Sequence, residues 1–121
     1  MTMRHALRRM ASWIGRAAMP VAVAAFATAQ IITVDISADL IDVNPDTATV
    51  SDLPGPDGRI AFSEAVIASN NTPGRQTIGF AIPTSEWNYR EWYFPGRAVV
   101  HTVGGAYWRV YDEVTIDGTT Q

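Results

Sequence analysis

A mainly β fold with one short helix, set behind an amino-terminal export leader, is what this sequence predicts. Three observations carry that reading. Runs rich in Ile, Val and Thr alternate with period two between Gly and Pro punctuation. One segment alone, near Ser63, has apolar residues at helical spacing, and no helix of crossover length separates the strands that follow it. The chain has no cysteine, so an exported domain of this size must be held by packing and hydrogen bonds rather than disulfides.

The leader spans residues 1–29. Arg4, Arg8, Arg9 and Arg16 form a basic head, Ala17 to Ala27 an apolar run, and Ala27-Thr28-Ala29 places small residues where a signal peptidase reads. An apolar run of eleven residues is short of the roughly twenty that cross a bilayer. It therefore reads as a cleaved signal peptide and not as an anchor. Arg8-Arg9 is followed by Met10-Ala11-Ser12, without the hydrophobic continuation of a twin-arginine signal, which points to the general secretory route.

In the remaining domain, residues 30–121, a first strand is expected from Ile31 to Ile36, with Ile32, Val34 and Ile36 on one face. Asp39 to Gly58 is rich in Asp, Pro, Gly and Thr and reads as a long surface loop. A helix follows from Ser63 to Asn70, with Ser63 as its cap and Pro73-Gly74 as its stop. Phe62, Ala65, Val66 and Ser69 give it a narrow apolar stripe, so it must lie against something larger. Further strands are expected at Thr77 to Ile82, Ala98 to Val103 and Trp108 to Asp117.

Without the leader, five arginines and no lysine face twelve carboxylates, a formal net charge of −7. No basic run remains to follow a phosphate backbone, which argues against nucleic acid as a partner. An anionic polysaccharide would be repelled unless a cation bridged it.

Candidate chemistry is sparse. Asp42, Asn44 and Asp46 present oxygen ligands at alternate positions and are the candidates for calcium, the one cofactor considered, although the loop lacks the Gly and terminal carboxylate of an EF-hand; a solvated acidic loop explains the same residues. Glu86, Glu91, Asp112 and Glu113 include the residue types of glycoside hydrolysis, but they read equally as surface charges. His101 has no nucleophile to serve and is expected to face outward from a strand. Trp87, Trp92 and Trp108 are the candidates for stacking on sugar rings, against the alternative of packing on the core.

The order of strand, acidic loop, Asp57-Gly58-Arg59, the Glu64-Ala65 helix, Asn70-Asn71-Thr72-Pro73-Gly74, Gln76-Thr77-Ile78-Gly79-Phe80 and Val114-Thr115-Ile116-Asp117-Gly118 resembles the amino-terminal cap domain of secreted bacterial right-handed parallel β-helix proteins of the pectate-lyase-like kind, often named for a Cys-Ser-Leu-Arg-Glu-Ala motif. Ile60 to Ala65 aligns with that motif; Glu64 and Ala65 match, Phe62 keeps the apolar position, and the Cys and Arg are absent. The resemblance implies the start of a β-helix, one to two rungs, with a short capping helix. Phe62, Ala65 and Val66 would be the inward face of the cap and Glu64 would cap or pair locally. It implies a non-catalytic, exported or cell-surface bacterial structural piece, not itself an enzyme, whose partners are downstream rungs of the parent protein. Because about three stacked repeats are needed for stability, the chain reads as a fragment. The alternatives are the amino-terminal part of a polysaccharide lyase or hydrolase, or a small carbohydrate-binding module acting on extracellular polysaccharide.

Overall fold

The computed structural model describes residues 29–87, 95–102 and 109–121. The leader up to residue 28, together with Glu91, Trp92, Val103 and Trp108, lies outside the described residues. Three strands, β1 (Gln30–Val34), β2 (Gln76–Phe80) and β3 (Val114–Ile116), form one parallel sheet in the order β1-β2-β3, and one helix, α1 (Phe62–Asn71), lies between β1 and β2 in the chain. The fold is thus a small mixture of β and α structure.

Register is the feature that organises the sheet. Ile32 lies opposite Ile78 and Ile78 opposite Ile116, so three isoleucines form one column across the strands. On the other face Ile31, Thr77 and Thr115 align in the same way. β-branched residues suit this stacking because their stiff χ1 torsions fit a pleated surface. Ile32, Val34 and Ile78 are buried and join Ala65, Val66 and Ile82 in one core, whereas Ile116 is 50% exposed.

Where β1 ends, the structure departs from expectation. Ile36 does not continue the strand and is only half-buried. The reason is Asp35, whose backbone N–H donates to the Ile60 carbonyl (3.1 Å) while its Oδ1 accepts from the Ile60 N–H (2.7 Å), turning the chain toward the segment before α1.

The helix also differs. It begins at Phe62, with Ala61 as the residue before it, so Ser63 lies inside the first turn and does not cap it. All seven residues from Ser63 to Ser69 are buried, not a narrow stripe. The expected surface loop supplies the missing cover: Ala48 is buried, and Val50 and Leu53 pack against the core, with a 3-10 turn at Val50–Asp52. Phe62 stacks on Phe80 with ring centroids 6.0 Å apart, fixing the start of α1 over β2.

The last two expected strands are mostly replaced. Residues 98–102 have no strand; Ala98 and Val100 pack on the core as irregular chain, and His101 lies there too, its N–H donating to the Ser37 carbonyl (3.1 Å). Trp108 lies outside the described residues; of residues 109–117 only Val114–Ile116 is strand, because Asn70 takes the backbone groups just upstream: its Nδ2 donates to the Arg109 carbonyl (2.7 Å) and its Oδ1 accepts from the Tyr111 N–H (2.8 Å).

The isoleucine column gives a graded test. Ile78→Ala should destabilise the chain by about 2–5 kcal/mol, as for a fully buried truncation, and Ile116→Ala by less than about 1 kcal/mol, as at a half-exposed position. Urea unfolding of both variants measures the difference, and equal losses would show that Ile116 is as enclosed as Ile78.

Candidate functional site

The residues singled out from the sequence as a cap, Phe62, Glu64, Ala65 and Val66, come together at the start of α1. Ala61 has no side chain able to cap α1, and the side chain that reaches back to its amide is that of Glu64. Its Oε2 accepts from the Ala61 N–H (3.1 Å), the reciprocal half of a capping box. Its Oε1 accepts from the Asp42 N–H (3.0 Å), reaching into the acidic loop. The side chain is buried, at 1% exposure. Burial pushes its carboxyl above the usual glutamate range, against the pull of the two backbone donors, and the neighbouring Asp42 carboxylate pushes the same way. Two peptide N–H groups, those of Asp42 and Ala61, thus meet its two carboxyl oxygens.

Asp42 is a second hub. Its Oδ2 accepts from the Asp57 N–H (2.7 Å) and its Oδ1 lies against Gly55, where a methyl group would overlap it. Asn44 Oδ1 accepts from the Asp46 N–H (2.9 Å), a local turn. The three calcium candidates are therefore arranged as turn and bridging groups, and among the described residues no cluster of three or more His, Cys, Asp or Glu side chains is placed to hold a metal ion.

The Asp-Gly-Arg segment builds a clamp that the sequence did not announce. Arg59 Nη2 meets Glu86 Oε1 (2.9 Å) and Arg59 Nε meets Asp35 Oδ2 (3.3 Å), with a further bond to the Asp35 carbonyl. Glu86 Oε2 accepts from the Ser37 N–H (3.0 Å). The Ser37 amide, then Arg59, hold the Glu86 carboxyl below its usual range. Glu86, once a candidate catalytic carboxylate, is therefore committed to joining the exit of β1 to the turn after β2. Glu113 pairs with Arg75 on the surface, and Asp112 accepts from the Glu113 N–H (2.8 Å).

The Asn-Asn-Thr-Pro-Gly turn is a set of backbone mimics. Asn70 grips residues 109 and 111. Asn71 Nδ2 donates to the carbonyls of Ala48 (3.0 Å) and Pro45 (3.3 Å), and Thr72 Oγ1 accepts from the Val50 N–H (2.9 Å). Gly74 adopts φ 95°, a conformation that disfavours side chains. Buried Gln76 joins them, its Oε1 accepting from the Gln30 N–H (3.2 Å). The clue in the sequence was adjacent amides beside a Pro-Gly stop, but nothing local says which backbone they reach.

Past Ile78 the edge of β2 is met by side chains. Thr120 Oγ1 accepts from the Phe80 N–H (2.7 Å), and the Gln121 amide accepts from the Ile82 N–H (2.9 Å) and donates to the Ile82 carbonyl (3.1 Å). Beside them is an apolar cleft of about 240 Å³ lined by Phe80, Ile82, Ala98, Val100, Gly118 and Gln121. Trp87 packs half-buried on the core and its indole N–H donates to the same Ile82 carbonyl (3.0 Å); the other two stacking candidates lie outside the described residues. No helix among the described residues is long and apolar enough to cross a membrane.

Comparison with family models, with curated proteins and with solved structures returned no match. The class that the coordinates define is a three-stranded parallel sheet covered by one helix and an acidic loop.

The Arg59 clamp should matter where the exposed pair does not. Arg59→Met is expected to cost about 1 kcal/mol, while Arg75→Met stays within about 0.5 kcal/mol. Because the Glu86 pKa is depressed, the clamp contributes above the unfolded glutamate value and is lost as pH falls through the folded one. Denaturation between pH 3 and 7 should show the two proteins converging in acid; a constant gap would mean that Glu86 is not the partner.

Proposed function

We propose that this chain is the exported, non-catalytic amino-terminal cap of a right-handed parallel β-helix of a secreted or cell-surface bacterial protein. Its α1 and acidic loop cover one end of the core, and its β3 side receives the next rung of the parent polypeptide. One observation carries this reading: successive strands return in parallel to one register, so that Ile32, Ile78 and Ile116 make a single column, buried at the first two positions and half-exposed at the third. A solenoid exposes apolar core and strand edges at its ends, and a cap protects one of them. The apolar cleft beside Gln121 and the edge of β3 supply the surface on which a following rung would bury its inner face. The role of the residues is mechanical. Phe62, Ala65 and Val66 fill the end of the core, Glu64 supplies the polar contacts that let the helix sit there, and no side chain has a catalytic part.

Adding two rungs of the Val-Thr-Ile-Asp-Gly pattern, at the observed spacing, after Gln121 tests the reading. The extended protein should melt at a higher temperature and bind less apolar dye than the same chain carrying a scrambled extension, and Ile116→Asp should remove the gain. Equal melting of the ordered and scrambled extensions would sink the proposal. Export is tested separately by placing residues 1–29 ahead of a periplasmic reporter, where processing after Ala29 is expected and an uncleaved, retained reporter would count against it.

A further inference from the structure

Next to the isoleucine column runs a second one that is left unfilled at its last position. Val34 lies opposite Phe80 in the ladder of β1 and β2, and counting on from Ile116 opposite Ile78 brings Gly118 opposite Phe80. The parallel pairing still holds as Gly118 is approached, since the Asp117 N–H donates to the Ile78 carbonyl (2.8 Å). The column therefore runs Val34, Phe80 and then a residue with no side chain. A Cβ added to Gly118 would meet no atom within 4 Å, and Gly118 lines the apolar cleft together with Phe80, Ile82, Ala98 and Val100. The glycines of positive φ among the described residues are Gly58, Gly74 and Gly96. The backbone at Gly118 thus does not call for glycine, and what its absent side chain leaves is room.

The walls of the cleft decide what can enter that room. Gln121 supplies the one polar side chain among the described lining residues, and its amide accepts from the Ile82 N–H and donates to the Ile82 carbonyl. That carbonyl also takes the indole N–H of Trp87, and the Phe80 N–H donates to Thr120 Oγ1. A sugar or another polar ligand would give up its hydration there and find these groups already engaged. An apolar group loses nothing on entry. It must also be large, because a methyl group beside an aromatic ring and two valine-sized walls leaves most of the dispersion contacts unmade. Phe80 already packs against one ring, that of Phe62, with centroids 6.0 Å apart.

We propose that the cleft is a socket for one large apolar side chain, of the size of Phe or Leu, carried by the strand that docks in parallel against β3 at the position stacked on Gly118. The socket rests on the cap reading and specifies the partner: a small residue of this chain is complementary to a large one of the next rung, so a rung with a small residue at that position docks less firmly.

Two experiments test the socket. In the first, the extension by two Val-Thr-Ile-Asp-Gly rungs is compared with one in which the glycine of the first added rung, the residue that stacks on Gly118, is Phe. The Phe extension should melt about 4–8 °C above the Gly extension, and Gly118→Phe in the same protein should abolish the difference, because the socket is then filled from within. Equal melting of the two, both above their scrambled counterparts, overturns the socket and leaves the cap standing. Extensions that gain nothing over scrambled ones remove the cap reading and the docking partner with it. The second experiment needs no extension: Gly118→Phe and Gly118→Leu are made in the chain itself. At least one should melt higher and bind less apolar dye than the unmodified protein. Lower melting of both, with dye binding undiminished, shows that the cleft does not accept a large side chain and overturns the proposal whatever the extensions do.

Discussion

Parallel pairing is the constraint from which the rest of the structure follows. Neighbouring parallel strands cannot be joined by a tight turn, so after each one the chain must leave the sheet, travel and return beside its starting point in register. Here it returns twice, to Gln76 opposite Gln30 and to Val114 opposite Gln76. With no disulfide to fix these excursions, each is fastened by side chains that bond backbone of another segment. Asn71 and Thr72 hold the loop that leaves β1, Asn70 holds the segment that approaches β3, and Thr120 with Gln121 meets the edge of β2. The register of three isoleucines is the product of these ties as much as of the strands.

The same requirement explains how so acidic a domain, with five arginines to twelve carboxylates beyond the leader, is organised. Its acids act mainly as acceptors for peptide N–H groups. Asp35 serves Ile60, Asp42 serves Asp57, Asp52 serves Thr49, Asp57 serves Arg59, Glu64 serves Asp42 and Ala61, Glu86 serves Ser37, and Asp117 serves Thr119. A charged acceptor makes a stronger bond than a neutral one, and a turn-rich chain has many amides that no ladder satisfies. Carboxylates that look like an excess of charge in the composition are, in the fold, the fasteners of its irregular half.

This division also marks what could be read in advance. Period-two alternation revealed Ile32 and Val34, and Ile78 with Ile82, because a face that must be buried leaves a local signature. The helix was legible to within a residue at each end. Its burial on all sides was not, since the cover comes from Val50 and Leu53, which stand in a stretch whose Asp, Pro and Gly content signals exposed turns. Ser63 satisfied every local rule for a cap and was set aside because Glu64 supplies the contact from the third position of the helix. The expected strand from Ala98 differs, over its described residues 98–102, for the reverse reason: the run is apolar enough for a strand, but Ala98 and Val100 pack on the core without joining the ladder. Of the candidate site, the apolar face of Phe62, Ala65 and Val66 was visible, while the partners of Asn70, Arg59 and Gln76 depend on contacts across tens of residues that no local pattern encodes.

The edge strand shows how the sequence favours one neighbour over another. β3 is three residues long and carries Glu113 before it and Asp117 after it. If a second copy were to pair with it antiparallel about Thr115, Glu113 would fall opposite Asp117 from each side, and like charges opposed across strands are destabilising. A strand arriving in parallel and in register meets a different surface. Glu113 is already paired with Arg75, Asp117 is turned back onto the Thr119 N–H and hydroxyl, and Ile116, half-exposed, continues the column of Ile32 and Ile78. Short length and flanking charge are common protections of a sheet edge against its own kind. Here they count against antiparallel self-pairing about Thr115, while the half-exposed Ile116 remains an apolar surface at that edge.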